Sequence, residues 1–310
     1  MVEDNEIKAQ VSPFAIREGE IKTFDGKDGY VSMNQIVHKI NIGHITDIHF
    51  AILDLVNEFE FITSRQIYQM LEIKGIDPKS QDKLNNKLDA LVKSKILTRY
   101  YFTSDEGKGI YRIYCLEKMG KYLLTSKEVE CKWQPTDNTK PVAMIKKRLA
   151  GNQVLIAYLR KVKAFDGYVV KPAITAKTLG KVFKATGGSV KLSKNGKSIQ
   201  FLFEVFRREM DWQKKLVEKM NLYKDFYENF QPGDSGFTSL PQLIFVCEDE
   251  KHMAECFKEI VTNKVEIPQI KLLFTTDLRQ NKETLDDTLV EFKLVDGKYK
   301  MEDVELKLLG

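Results

Sequence analysis

Between residues 48 and 124 the apolar positions form three helical stripes followed by two β-rich runs. The first stripe runs from Ile48 to Phe59, with Phe50, Leu53, Leu55, Val56 and Phe59 on one side. The second opens at Thr63, whose hydroxyl and Gln66 three residues on form a T-x-x-Q capping box, and it carries Ile67, Met70 and Leu71 inward. For the third, Asp77 is the expected N-cap and Pro78 the expected first helical residue. From Lys79 to Lys93 the residues Leu84, Leu88, Leu91 and Val92 then repeat at helical spacing. Ile96–Phe102 and Gly109–Leu116 are β-branched and aromatic, and the polar loop 103–108 separates them, which is a hairpin pattern. Three helices and then a hairpin is the order of a winged helix-turn-helix, with the hairpin tip as the wing.

A helix enters the major groove only if its outer face carries donors and positive charge. Removing the apolar side of the third helix leaves Lys79, Ser80, Gln81, Lys83, Asn86 and Lys87 facing out. Arg65, Arg99 and Lys108 add charge from the second helix and the hairpin. From Thr63 to Tyr114 there are 10 Lys or Arg against 6 Asp or Glu, a local excess that would neutralise phosphates. The alternative is a three-helix packing module whose lysines are merely solvated.

Composition narrows the partners. The whole 310-residue chain carries a formal charge of only +5, so any nucleic-acid surface must be local. Four cysteines, Cys115, Cys131, Cys247 and Cys256, contain no C-x-x-C pair and suit a reducing cytoplasm. No apolar run approaches membrane-spanning length and the acidic start is unlike a signal peptide, so a cytoplasmic protein is expected. His38, His44 and His49 lie close together without metal-ligand spacing.

Outside the helical module the pattern is mixed. Residues 1–46, with two Asp-Gly turn signals near Phe24, read as an N-terminal arm, and 47–124 as the winged helix, closed by a short helix over 117–124. Residues 125–141, polar and with two prolines, read as a linker, although Cys131 and Trp133 suit packing. The second domain, 142–310, opens with a long helix over Val142–Lys161 whose inward set is Met144, Leu149, Val154, Leu155, Tyr158 and Leu159. A strand is expected at 167–170, a hairpin over 190–206 turning at Asn195-Gly196, and a helix over 211–230. A doubly buried strand at 243–247, a helix at 252–262, a strand at 271–275 and a final strand complete the expectation. The fold class is α+β.

Three stretches then carry a resemblance. Phe59-Glu-Phe-Ile-Thr-Ser-Arg-Gln-Ile67 in the winged helix, paired with Arg148-Leu-Ala-Gly-Asn-Gln-Val-Leu-Ile-Ala-Tyr-Leu159, resembles the replication-relaxation family. So does Phe201-Leu-Phe-Glu-Val205 before a Lys-rich helix bearing Tyr223 and Tyr227. The resemblance, over about Ile48 to Thr275, implies a winged-helix half and a mixed-sheet half like a restriction-endonuclease core, in proteins of plasmids and conjugative elements tied to replication and DNA relaxation. Such a core holds a divalent metal with two acids on adjacent strands and a lysine two residues past the second. Glu204 suits the second acid, but Phe206 stands where the lysine belongs. No first acid precedes the hairpin: Ala173 follows Pro172, and Asp166 sits in a turn. Lys215 or Lys219 would have to substitute for the lysine. A degenerate, inactive core is therefore expected, with no cofactor and no metal.

Other chemistries fit less well. Thr186–Ser189 and Ser193–Lys197 lack phosphate-loop order. Cys247, His252 and Cys256 read as packing, and Tyr223 and Tyr227 lack the histidine cluster of a relaxase. The stripe Trp212, Leu216, Met220, Tyr223, Tyr227, Phe230 is a core or dimer face. The sequence thus points to a DNA-binding accessory protein of a mobile element, acting in replication, partition or transfer. It would bind double-stranded DNA, as a homodimer with half-sites about 34–36 Å apart, and engage a replication or transfer protein. The alternatives are a divergent nuclease or nickase centred on Glu204 and a transcriptional regulator.

Overall fold

The computed structural model describes residues 12–104, 107–282, 284–285, 288–295 and 298–304, with the backbone alone for 107–110 and 298. Strand β1 (Ile21–Phe24) and helix α1 (Met33–Asn41) come first. They are followed by α2 (Asp47–Phe59), β2 (Ile62–Thr63), α3 (Ser64–Ile73) and α4 (Gln81–Lys93). The hairpin β3 (Leu97–Ser104) and β4 (Gly107–Leu116) leads to α5 (Lys118–Ser126). The four strands form one sheet in the order β1-β3-β4-β2. Thr63 caps α3 as its sequence announces: its hydroxyl accepts from the Gln66 amide and Gln66 Oε1 accepts from the Thr63 amide, each at 3.2 Å.

The second half begins with α6 (Val142–Lys161) and β5 (Phe165–Val169), then the small hairpin β6 (Ala173–Ala176) and β7 (Lys181–Lys184). Next come β8 (Gly188–Lys194), β9 (Lys197–Val205), α7 (Trp212–Glu228), β10 (Gln242–Cys247) and α8 (Glu250–Thr262). β11 (Leu273–Thr276), β12 (Leu289–Val295) and β13 (Lys298–Val304) finish the chain. Seven of these strands form a sheet ordered β13-β12-β11-β10-β9-β8-β5. β9, β10 and β11 are parallel and the remaining pairs antiparallel, so the fold is mixed α+β. The β8–β9 turn is made by Asn195 and Gly196 at φ 51° and 75°, the left-handed pair that a tight hairpin requires.

The period-2 alternation of these strands separates two cores. Phe201, Phe203, Val205, Ile244 and Val246 face α6 and share one core with Leu53, Ile67 and Leu88 of the helical module. Leu202, Leu243, Phe245, Cys247 and Phe274 face the opposite way, against Leu216, Met220 and Tyr223 of α7 and Met253 and Cys256 of α8. That is why β10 is apolar at every position from Leu243 to Cys247. A Cβ on Gly151 would meet the Thr186 carbonyl at 2.5 Å, so the glycine lets α6 lie close to the 186–187 turn. α6 also holds α3 and the residues just before it through polar groups: Gln66 Nε2 donates to the Leu149 carbonyl (2.7 Å) and Asn152 Nδ2 to the Phe61 carbonyl (2.8 Å).

Several expectations change. Helix α4 begins at Gln81, not Lys79. Asp77 spends its side chain on the Lys79 amide (2.7 Å), Lys79 takes a left-handed φ of 69°, and Ser80 becomes the cap, accepting from the Lys83 amide at 3.2 Å. Met144 is 51% exposed, lying just before the buried set of α6, which runs from Ile145 to Tyr158. Phe50 is only half-buried and Ile52 takes the inward position instead. Within the arm, Ser32 and Gln35 cap α1, and β1 adds to the edge of β3. The arm also reaches both halves, since the Pro13 carbonyl accepts from Tyr111 Oη (3.0 Å) while the Ile16 amide donates to Glu248 Oε1 (3.2 Å). Residues 133–140 pack on the module: Asn138 Nδ2 donates to the Leu116 carbonyl (2.9 Å) and Lys121 Nζ to that of Trp133 (3.0 Å). No described helix is long and apolar enough to cross a membrane.

Candidate nucleic-acid interface

Helix α4 buries Leu84, Leu88, Leu91 and Val92, and this fixes where its polar residues point. Lys83 and Asn86 are exposed, Lys87 is half-exposed, and the side chains of all three are without a hydrogen-bond or ion-pair partner among the described residues. With Lys79, His44 and His49 they line one shallow, open hollow. Lys79 pairs with Asp77 at 2.8 Å in the open, which draws the Asp77 carboxyl below its usual range. His49 Nδ1 accepts from the Thr46 amide at 3.1 Å, so this ring serves to cap α2. Burial, and then the charge of Lys87, push its imidazole below its ordinary value, which leaves it neutral.

The remaining candidates do not join that face. Gln81 turns to the other side of α4, where its Nε2 donates to Asn85 Oδ1 (3.2 Å) and both residues border a cleft of about 1050 Å³. Arg65, exposed at the start of α3, borders the same cleft. The Ser80 hydroxyl oxygen is taken up by the cap. Arg99 is held inside the module, its Nε 2.9 Å from Asp25 Oδ2 and its NH1 on Asp89, so it faces no open groove. The Lys108 side chain lies outside the described residues. The cleft itself was not foreseen. Its walls come from the N-terminal arm, α3 and the residue before it, α4, β3, β4, α6 and the segment after β11, residues far apart in sequence that only the packed chain brings together.

Glu204 sits in a different environment. It is 2% exposed, and both carboxylate oxygens are occupied: Oε1 accepts from Thr186 Oγ1 (2.6 Å) and Oε2 from Tyr223 Oη (2.5 Å), with Lys219 Nζ at 3.4 Å. Burial and the Glu204 charge push the Tyr223 hydroxyl well above its usual value, so it remains a donor. On the neighbouring strand Gly188 pairs with Phe203, which puts Gly187 and the neutral Thr186 where a second acid would be needed. Asp166 is elsewhere, bound to Ser193 (2.7 Å) and Lys191 (2.8 Å). Phe206 packs in the α7 core against Phe245. One saturated carboxylate cannot hold a cation between two strands and position water. Lys219, the candidate replacement for the missing lysine, instead neutralises the buried charge.

Cys247, His252 and Cys256 offer ligand atoms within 4.8 Å of one another, all buried. Burial, with Arg208 and Arg207 nearby, drives the His252 imidazole down to about 3, and burial raises the Cys256 thiol well above its usual value. Cys247 Sγ and Cys256 Sγ lie 4.0 Å apart in the α7–α8 core, and three donors are one fewer than a structural zinc site takes.

Comparison with known proteins adds the family. A family model described as replication-relaxation matches residues 53–240, well over half the chain. The chain belongs to the replication-relaxation family. The match covers the helical module, α6, the β8–β9 hairpin and α7, so in this replication-relaxation protein the family region takes in both the α4 face and Glu204. No curated protein matches the chain. The solved structure of restriction endonuclease FokI is similar over 75% of this chain and 43% of that one, at 10% identity and a TM-score of 0.25. The chain thus spans less than half the length of that enzyme, and the overlap is too loose to bear on fold or chemistry.

Proposed function

We propose that this replication-relaxation protein is a DNA-binding accessory factor of a mobile genetic element, serving plasmid replication, partition or transfer. Residues 47–124 act as a winged helix-turn-helix, with α4 as the recognition helix. The sheet domain dimerises or recruits a replication or transfer protein. The observation that carries this reading is the uncovered side of α4, where the side chains of Lys83, Asn86 and Lys87 stand without partners among the described residues. Lysines there neutralise phosphates, and an asparagine between them can hydrogen-bond a base edge. The helix order and the antiparallel β3–β4 hairpin support the same reading. The Glu204 geometry favours a binding role over cutting.

The test is retention of genomic or plasmid fragments by the purified protein, followed by mobility shift on the recovered site. Lys83→Glu with Lys87→Glu is expected to remove the shift at protein concentrations that shift the parent, about a 100-fold loss of affinity, while leaving the melting temperature in place. An unchanged shift, or no shift by the unaltered protein on any DNA at low salt, rejects the proposal.

A further inference from the structure

We infer that the cleft between the helical module and the sheet domain holds a short unpaired stretch of DNA next to the duplex bound by α4. The inference rests on the DNA-binding reading above and adds a second kind of substrate to it. Four cations line the cleft, Arg65, Arg112, Arg160 and Lys161, and among the described residues no Asp or Glu lines it. Six carboxamides, Gln69, Gln81, Asn85, Gln153, Gln280 and Asn281, share the rest of the wall with hydroxyl, aromatic and apolar side chains. Carboxamides both donate and accept, as the edges of unpaired bases do.

The cations differ in availability. Lys161 Nζ is committed to the Gln280 carbonyl (2.7 Å). Arg112 touches Asp25 at 3.2 Å and Arg160 reaches Glu72 at 3.7 Å, both as partly exposed pairs that a phosphate can displace at little cost. The Arg65 side chain has no partner among the described residues. One further observation points to a ligand. Gln280 is 1% exposed, its Nε2 donates to Thr275 Oγ1 (2.8 Å), and its Oε1 has no hydrogen-bond partner among the described residues. A buried carbonyl oxygen left unpaired in the cleft wall is satisfied by an ordered water, or by a base amine once the side chain turns toward the cleft.

Size and position fit one strand and not two. A volume of about 1050 Å³ is at the upper end for a small-ligand site, whereas a duplex needs an open groove as wide as its own diameter. Gln81 and Asn85 border the cleft from the same helix whose Lys83 and Asn86 face out, so the two surfaces lie about 10 Å apart, one helix diameter. A strand leaving the duplex end would pass the start of α3, where Arg65 and the first free amides of the helix meet phosphate.

Fluorescence anisotropy with three probes tests this: a blunt duplex carrying the recovered site, the same duplex with a single-stranded tail, and the tail alone. The tailed duplex is expected to bind about tenfold tighter than the blunt one, a modest gain for a few phosphate contacts. Arg65→Glu and, separately, Arg160→Ala should remove that gain and keep the blunt-duplex affinity, which also shows that the variants fold. A tail that confers no gain, or a gain that survives in both variants, overturns the inference and leaves the duplex reading standing. Tail binding that depends on Arg65, without any blunt-duplex binding, rejects the duplex reading and keeps the cleft.

Discussion

The outer side of α4 and the surroundings of Glu204 use similar side chains to opposite ends. Around Glu204 a carboxylate, a lysine, a tyrosine and a threonine are folded into one another and largely shut from water. On α4 two lysines and an asparagine have no side-chain partner among the described residues. A charge that is paired and buried has already spent its interaction energy on the fold. A charge held in the open by a rigid helix keeps that energy for a partner. In this chain, then, a lone acid on a correctly placed strand does not make a site.

The largest effect is expected from Glu204→Ala. It leaves Tyr223, Thr186 and Lys219 without their shared acceptor, and removing one partner of a buried ion pair costs about 3–5 kcal/mol. Chemical denaturation should show a loss of that size, with DNA affinity per folded molecule unchanged. Glu204→Gln should recover part of it, since a carboxamide oxygen still accepts from Tyr223. A variant as stable as the parent would show that the cluster contributes nothing to the fold.

Reversing Lys83 and Lys87 comes next. If α4 binds duplex as proposed, replacing the two lysines with repulsive charges should weaken that binding about 100-fold at moderate salt, or about 2.7 kcal/mol, and flatten the dependence of affinity on log salt by about 2. Thermal stability should stay within about 0.5 kcal/mol, as for exposed positions in general. An equal fall in stability and affinity would place these lysines in the fold and not at an interface.

His252 sharpens the contrast from the sealed side. Its imidazole drops from the ordinary 6.5 to about 3 in the folded chain. Well above pH 6.5 the ring is neutral both folded and unfolded, so it adds no pH dependence there. Below that, the unfolded chain takes up a proton that the folded one refuses, and stability falls as pH falls toward about 3. The slope is at most about 1.4 kcal/mol per pH unit. Denaturation midpoints of the parent and His252→Gln between about pH 7 and pH 4 should therefore diverge, with the flatter curve belonging to the variant. Parallel curves would mean that the ring does titrate in the folded state.

Local chemistry was legible in the sequence, and long-range chemistry was not. Thr63 and Gln66, Asn195 and Gly196, and the bounds of α6 follow from neighbours within a few residues, and they stand in the structure as read. The Glu204 partners come from 18 residues upstream and 19 downstream, and nothing in their spacing announces them. The cleft is harder still, because Arg65, Arg112, Arg160 and Gln280 share no motif and meet only through α6 packing on α3. Near the start of α4 the signal was present but ambiguous. Asp77 and Ser80 are both good caps, and the left-handed Lys79 between them decides for Ser80.

That choice gives the smallest test of the comparison. Ser80→Ala removes the acceptor of the Lys83 amide and frays the first turn of α4, at a cost of about 1 kcal/mol. Asp77→Ala should cost less, because it frees only a surface turn. If the open face depends on a rigid helix end to present Lys83, Ser80→Ala should also weaken duplex binding a few-fold, whereas Thr63→Ala, of similar stability cost at the start of α3, should not. Comparing the two cap variants by denaturation and by anisotropy on the same duplex separates a loss of global stability from a loss of presentation. If both lose affinity in proportion to stability, rigidity at α4 has no special role, and the exposed lysines bind as a charge cloud without a defined geometry.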